Sequence, residues 1–171
     1  SISEEFKKEL ELAGIKNKKR VTLGDKDAYL SPKIFIRQSA TEIIATYTEE
    51  PFAANNSIYI LSNKSDTEQD INMLKYVCGV LNSELITYFC RINKIIRVEK
   101  GKTPQIKTSD LKEIRICMSD KYYQTIIDLV NQLLSFPDDT DALLELNKTI
   151  YEIYGIDKSE QQFIHSYLNA S

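Results

Sequence analysis

The sequence predicts an α+β chain: a small, mainly antiparallel sheet with flanking helices, followed by a C-terminal helical bundle. Three observations carry this. β-Branched and aromatic runs stand at 33–37, 43–48 and 57–61, too close together for the crossover connections that parallel strands need. A long loop-like stretch follows one helical pattern at 91–107. From residue 119 onward the apolar residues recur every three or four positions. The expected division is an N-terminal helix and linker at 1–29, an α+β domain at 30–118 and a helical subdomain at 119–171.

Each element has its own signal. Ile2, Phe6, Leu10 and Ala13 share one face of a predicted helix over 2–13, with Ser1 and Glu4 at capping-box spacing and Gly14 as the stop. The basic run Lys16–Arg20 reads as a loop, and Gly24-Asp25 as a turn. The first strand is Lys33–Arg37, entered from Pro32; the second is Ile43–Thr48. The third, Ser57–Leu61, is entered through Asn55-Asn56, a pair that tolerates left-handed turns.

A polar loop over 62–70 leads to Ile71, Leu74, Val77, Cys78, Leu81, Leu85, Tyr88 and Phe89 at helical period. Asp70 is the expected N-cap. Gly79 and Asn82-Ser83 are expected to divide this stretch into two helices, with Asn82 or Ser83 capping the second. Within 91–107 one strand is expected at Ile95–Val98. Ser109-Asp110 suits a cap for a short helical turn, and Ile114–Cys117 reads as the last strand. Three helices should follow. The first carries Tyr122, Ile126, Leu129, Val130, Leu133 and Leu134 and ends near Pro137. The second runs from the acidic stretch Asp138–Asp141 to Gly155. The third runs from Ser159 to Leu168.

Composition excludes several classes. No stretch approaches the roughly 20 apolar residues that span a bilayer, so no membrane role is expected, and no signal-peptide pattern opens the chain. The first residue is Ser1 rather than Met, as expected of a tag remnant or a piece of a longer chain. Cys78, Cys90 and Cys117 include no C-x-x-C pair, which argues against zinc and redox sites and for reduced thiols in a cytoplasmic protein. The sequons at Asn55, Asn63 and Asn147 are then chance matches.

Catalytic patterns fail one after another. His165 is the single histidine, beside Phe163 and Ile164 in the last predicted helix. Gly101-Lys102-Thr103 resembles the end of a P-loop, but the required upstream glycine falls at Ile96. No set of nucleophile, base and orienting partner emerges. No catalytic residue, metal site or cofactor is therefore expected in this chain.

Charge gives a positive signal. The net charge is −3, yet its distribution is segregated. Arg91, Lys94, Arg97, Lys100, Lys102 and Lys107 face a single acid, Glu99, between residues 91 and 107. From Lys121 to the end there are three basic residues against eight acidic ones. Such segregation can leave one positive face on an acidic protein.

One ordered set of segments resembles a known family. Lys33–Arg37, Ile43–Tyr47, Asn55–Leu61 and Leu74–Ser83 are followed by Lys102–Lys107, Leu111–Ile114 and the tail Ile150–Ile156. Together, over roughly residues 30–165, they resemble the TaqI-like C-terminal specificity domain of bacterial adenine-specific DNA methyltransferases. The departure is Ile114–Cys117, where the family often has a proline-rich exit. The resemblance implies DNA target recognition by 30–118 for a type II restriction–modification methyltransferase in the same polypeptide, sometimes fused to an endonuclease. The partner implied is double-stranded DNA. S-adenosylmethionine belongs to the parent enzyme: the Asn-Pro-Pro-aromatic motif of the methyltransferase half does not occur here.

Base reading needs Arg or Lys for guanine and Asn or Gln for adenine, and phosphates need basic groups along the approach. The candidate DNA-binding residues are Arg91, Lys94, Arg97, Lys100, Lys102 and Lys107 as a group, with Gln105 as a base reader. Arg37 and Gln38, at a strand end, come second. The alternative is a protein-interaction or assembly module of a bacterial multidomain enzyme, docking through the acidic, leucine-rich tail.

Overall fold

The computed structural model describes residues 8, 26–52, 54, 57–97 and 104–170. The helix expected over 2–13, the Lys16–Arg20 run and Asn55-Asn56 lie outside them, apart from Lys8. Helix α1 (Lys26–Leu30), to which the sequence reading assigned no element, precedes three strands: β1 (Lys33–Arg37), β2 (Ala45–Thr48) and β3 (Ile58–Ser62); the turn expected at Gly24-Asp25 lies outside the described residues. Helices α2 (Glu68–Leu81), α3 (Glu84–Ile92) and α4 (Thr108–Leu111) follow. The C-terminal bundle is α5 (Tyr123–Ser135), α6 (Thr140–Tyr154) and α7 (Lys158–Asn169).

The sheet is antiparallel in the order β2-β1-β3. Ile34 pairs with Tyr47 and Leu61, and Ile36 with Ala45 and Tyr59. Strand side chains alternate between faces, so these residues share one face. Ile34, Ile36, Ala45 and Tyr47 are buried there. The outer edge of β2 is covered by side chains from the helical layer. Ala45 N–H donates to Asn82 Oδ1 at 2.9 Å, and Asn82 Nδ2 donates to Ala45 O at 2.8 Å. Ile43 N–H reaches Thr87 Oγ1 at 3.4 Å. An edge strand left open would offer these groups to another chain.

Helix starts follow short polar side chains. Thr67, not Asp70, caps α2: its Oγ1 accepts from Asp70 N–H at 3.2 Å. The Asp70 carboxylate, three residues on, accepts the Thr67 hydroxyl at 2.6 Å. Hydrogen bonds from Ser65 and Thr67 hold that carboxyl below its usual range. Ser83 caps α3 and Asp139 caps α6. Asp157 and Glu160 form a capping box on α7. Gly155 closes α6 at φ +69°, the left-handed region that favours glycine.

One buried cluster runs from Ile34 to Ile164 and joins sheet and bundle. Helix α2 packs on the sheet with one face and on α5 with another, and α6 and α7 pack against α3. Gly79 sets the α2–α5 approach. A Cβ there would lie 2.8 Å from Ile126 Cγ2 and 2.9 Å from Val130 Cγ2. Both neighbours are β-branched and stiff. Overpacking costs about 1–3 kcal/mol, against a helix-propensity gain of about 1 kcal/mol. Gly79→Ala is therefore expected to destabilise by up to about 2 kcal/mol, read as a lower denaturant midpoint.

Among the described residues two expected strands do not form. Ile114–Cys117 keeps a strand-like alternation of half-buried and exposed residues but has no strand partner among the described residues. The Tyr76 hydroxyl donates to Cys117 O at 2.8 Å. The Tyr154 hydroxyl accepts from Cys117 N–H at 2.9 Å and donates to Arg115 O at 2.8 Å. The segment docks on helices, and tyrosine hydroxyls take the place of a ladder. Ile95–Val98 also fails as a strand among the described residues. Lys94 turns left-handed at φ +57°, and both Ile95 and Ile96 donate N–H to Cys90 O. The two isoleucines are tucked beneath the end of α3, and only Arg97 makes a bridge, to Gln105.

Candidate nucleic-acid interface

The end of β1 and the 104–107 segment meet. Ile106 N–H donates to Gln38 O at 2.9 Å, and Gln38 N–H donates to Ser57 O at 3.0 Å. The Ser39 hydroxyl donates to Pro104 O and the Tyr59 hydroxyl to Ile106 O, each at 2.9 Å. Ile106 is buried at 2% exposure, which anchors the segment in the core. Arg97 bridges Gln105 from the other side, so the two feet of the 98–103 segment stand next to each other. Residues 98–103, with Lys100 and Lys102, lie outside the described residues.

Arg37, Gln38, Arg97, Gln105 and Lys107 therefore come together at one end of the sheet. Arg37, Arg97, Gln105 and Lys107 are exposed, and Gln38 is half-buried. Arg97 is held: its Nη2 pairs with Asp110 Oδ2 at 2.9 Å, at the end of the α4 turn. The Ser109-Asp110 cap expected there is absent. Lys107 occupies the N-cap position without a side-chain cap bond, and Asp110 serves Arg97 instead. Lys94 is exposed on its left-handed turn.

Arg91 is engaged differently. Its Nε donates to Thr41 O at 2.9 Å and its Nη1 to Leu168 O at 3.4 Å. It braces the β1–β2 connection against the end of α7. Ser39 and Tyr59 are the polar residues of this edge that sequence did not single out. Tyr59 reads as an ordinary strand aromatic, and nothing local announces a partner 47 residues away.

Two concavities flank this region. An open cleft of about 310 Å³ on the sheet's other face is lined by Phe35, Arg37, Ile44, Thr46, Ser57 and Ile58. A groove of about 450 Å³ lies between β2, α5 and α6, with Ile44, Leu133, Leu134 and Leu143 on its apolar wall. The groove has no arginine or lysine in its lining.

Chemistry elsewhere is structural. Burial pushes the Cys78 and Cys90 thiols up to about 12, so neither is a thiolate at neutral pH. His165 Nδ1 lies 3.2 Å from Glu84 Oε1, and the Tyr151 hydroxyl donates to Glu84 Oε2 at 3.0 Å. This set ties α3, α6 and α7 together. Among the described residues no group of three or more His, Cys, Asp or Glu side chains is placed to hold a metal ion. No helix among them is long and apolar enough to cross a membrane.

A three-stranded sheet on a helical bundle, with amide and guanidinium groups gathered at one rigid edge, defines a small α+β binding module. That edge offers bidentate donors and acceptors rather than a reaction centre. The chain matches the TaqI-like C-terminal specificity domain over residues 5–116, and it belongs to that family. It is a DNA target-recognition module of the restriction–modification type. The match opens well before β1 and stops ahead of α5, so the tail Ile150–Ile156 falls outside it. No curated protein matches the chain.

Proposed function

We propose that this module reads a short duplex sequence for an adenine-specific DNA methyltransferase in the same polypeptide, with or without an endonuclease. S-adenosylmethionine binds that partner domain, and the enzyme works in the cytoplasm. Residues 30–118 do the reading, 119–171 support them, and 1–29 form the N-terminal connection. Gln105 reads a base edge, with Arg37, Gln38 and Arg97 beside it. Lys94, Lys100, Lys102 and Lys107 approach phosphates, and Arg91 braces the β1–β2 connection between them.

One observation carries most of this reading. Arg37-Gln38 and the 104–107 segment, far apart in sequence, are joined by the Ile106–Gln38 backbone hydrogen bond. Base readout demands side chains held by rigid elements, and these stand on a strand end and a core-anchored segment. The test is selection from short duplexes with a randomised centre, using the full chain. One short sequence should be enriched. Gln105→Ala should relax preference at one position, costing about 1–3 kcal/mol if the contact is bidentate. Recovery of no preferred sequence by the unaltered chain would end the proposal.

A second reading is favoured by the apolar groove. Leu134 and Leu143 are about 40% exposed there, as suits an assembly surface. It predicts association insensitive to salt and no duplex preference.

A further inference from the structure

We propose that Tyr59 is a positioning residue for base discrimination, acting through Ile106 on Gln105. The inference rests on the reading of Gln105 and its neighbours as the DNA-facing edge. Tyr59 stands on β3, paired opposite Ile36 of β1. Its hydroxyl donates to the Ile106 carbonyl at 2.9 Å. On the other side of that residue, Ile106 N–H donates to Gln38 O at 2.9 Å. Both backbone groups of Ile106 are thus fixed to neighbouring parts of the sheet. The Ser39 hydroxyl adds a third tie, to Pro104 O at 2.9 Å. Gln105 lies between the tied residues, and Arg97 bridges it from the opposite foot.

Three ties on the two residues that flank Gln105, with the Arg97 bridge on Gln105 itself, fix the direction in which its side chain leaves the backbone. A bidentate amide–base contact depends on that direction, because productive geometry tolerates only about 0.5 Å of displacement. Phosphate contacts by lysine are point-charge contacts and tolerate far more. Removing the Tyr59 hydroxyl should therefore separate two properties that ordinarily fall together. Discrimination should drop while the salt dependence of binding stays.

The experiment compares Tyr59→Phe with Tyr76→Phe in the full chain. Each loses one hydroxyl–carbonyl hydrogen bond. That of Tyr76, to Cys117 O at 2.8 Å, lies between α2 and the 114–117 segment. The probes are the duplex most enriched from the randomised pool and its single-mismatch versions. For Tyr59→Phe the affinity ratio between them should fall about fivefold or more, the worth of one weakened base contact, with the salt slope unchanged. Tyr76→Phe should keep the wild-type ratio. A wild-type ratio in Tyr59→Phe overturns the positioning role and leaves the DNA-reading proposal standing. Equal losses in both variants also overturn it, because they mark general loosening. A wild-type chain that does not discriminate overturns both.

Discussion

Asn82→Ala is expected to destabilise the fold by about 2–4 kcal/mol, the largest loss from any single side chain considered. The asparagine amide pairs with both backbone groups of Ala45, at 2.9 and 2.8 Å, and its Nδ2 also donates to Cys78 O at 2.9 Å. Ala45 is 8% exposed, so water cannot readily take over. Each buried backbone group left without a partner costs about 1–3 kcal/mol. Two such groups together would lose about 2–6 kcal/mol, and local relaxation of the edge strand keeps the expected loss in the lower half of that range. Thr67→Ala, which removes an ordinary N-cap, should cost about 1 kcal/mol and serves as the comparison. Denaturant unfolding of the two variants checks both values, and an Asn82→Ala loss no greater than that of Thr67→Ala would contradict the account. The damage should also reach the proposed reading edge: Arg37 N–H bonds to Ile44 O at 3.0 Å, so a loosened β2 leaves the last residue of β1 held only from the β3 side, where it pairs with Ile58.

Much of the fold was legible because local periodicity reports burial directly. β1 matches its expected span, β2 starts two residues later than expected, and β3 is shifted by one residue at each end. The paired helices α2 and α3 divide at Asn82-Ser83 as the sequence suggests, with Ser83 as the cap of the second. What periodicity cannot report is the identity of the partner. Ile114–Cys117 shows a one-sided apolar pattern, but its partners are helices and two tyrosine hydroxyls rather than a strand. Ile95-Ile96 has strand composition, but both residues are consumed in burying the end of α3. At the start of α2, Thr67 and Asp70 are each good caps. The bond from Asp70 N–H to the Thr67 hydroxyl, formed with Thr67 in an extended conformation, decides their roles.

The candidate site was legible as composition and hidden as geometry. The density of basic residues over 91–107 can be counted from the chain, and Arg37-Gln38 stands out as a polar strand end. That these two stretches touch depends on Ile106, Ser39 and Tyr59, whose partners lie 47 to 68 residues away along the chain. Arg91 is counted with the basic residues of the chain, but its bonds to the carbonyls of Thr41 and Leu168 are visible only in the fold.

The second large effect is electrostatic, and it tests the central claim that this module binds duplex DNA through the 91–107 segment. Replacing Lys100 and Lys102 together with Ala should weaken binding to all duplexes alike. If about three basic side chains of this segment touch phosphates, log affinity falls against log salt with a slope of about −2.7, and about −0.9 remains when two are removed. A fourfold rise in salt should then weaken the unaltered chain about 40-fold and the double variant only about 3- to 4-fold. The decisive measurement is the affinity of both proteins for one duplex across that salt range. The account predicts the steep and the shallow line. Two superimposable lines, or binding indifferent to salt, would contradict it and favour the assembly surface.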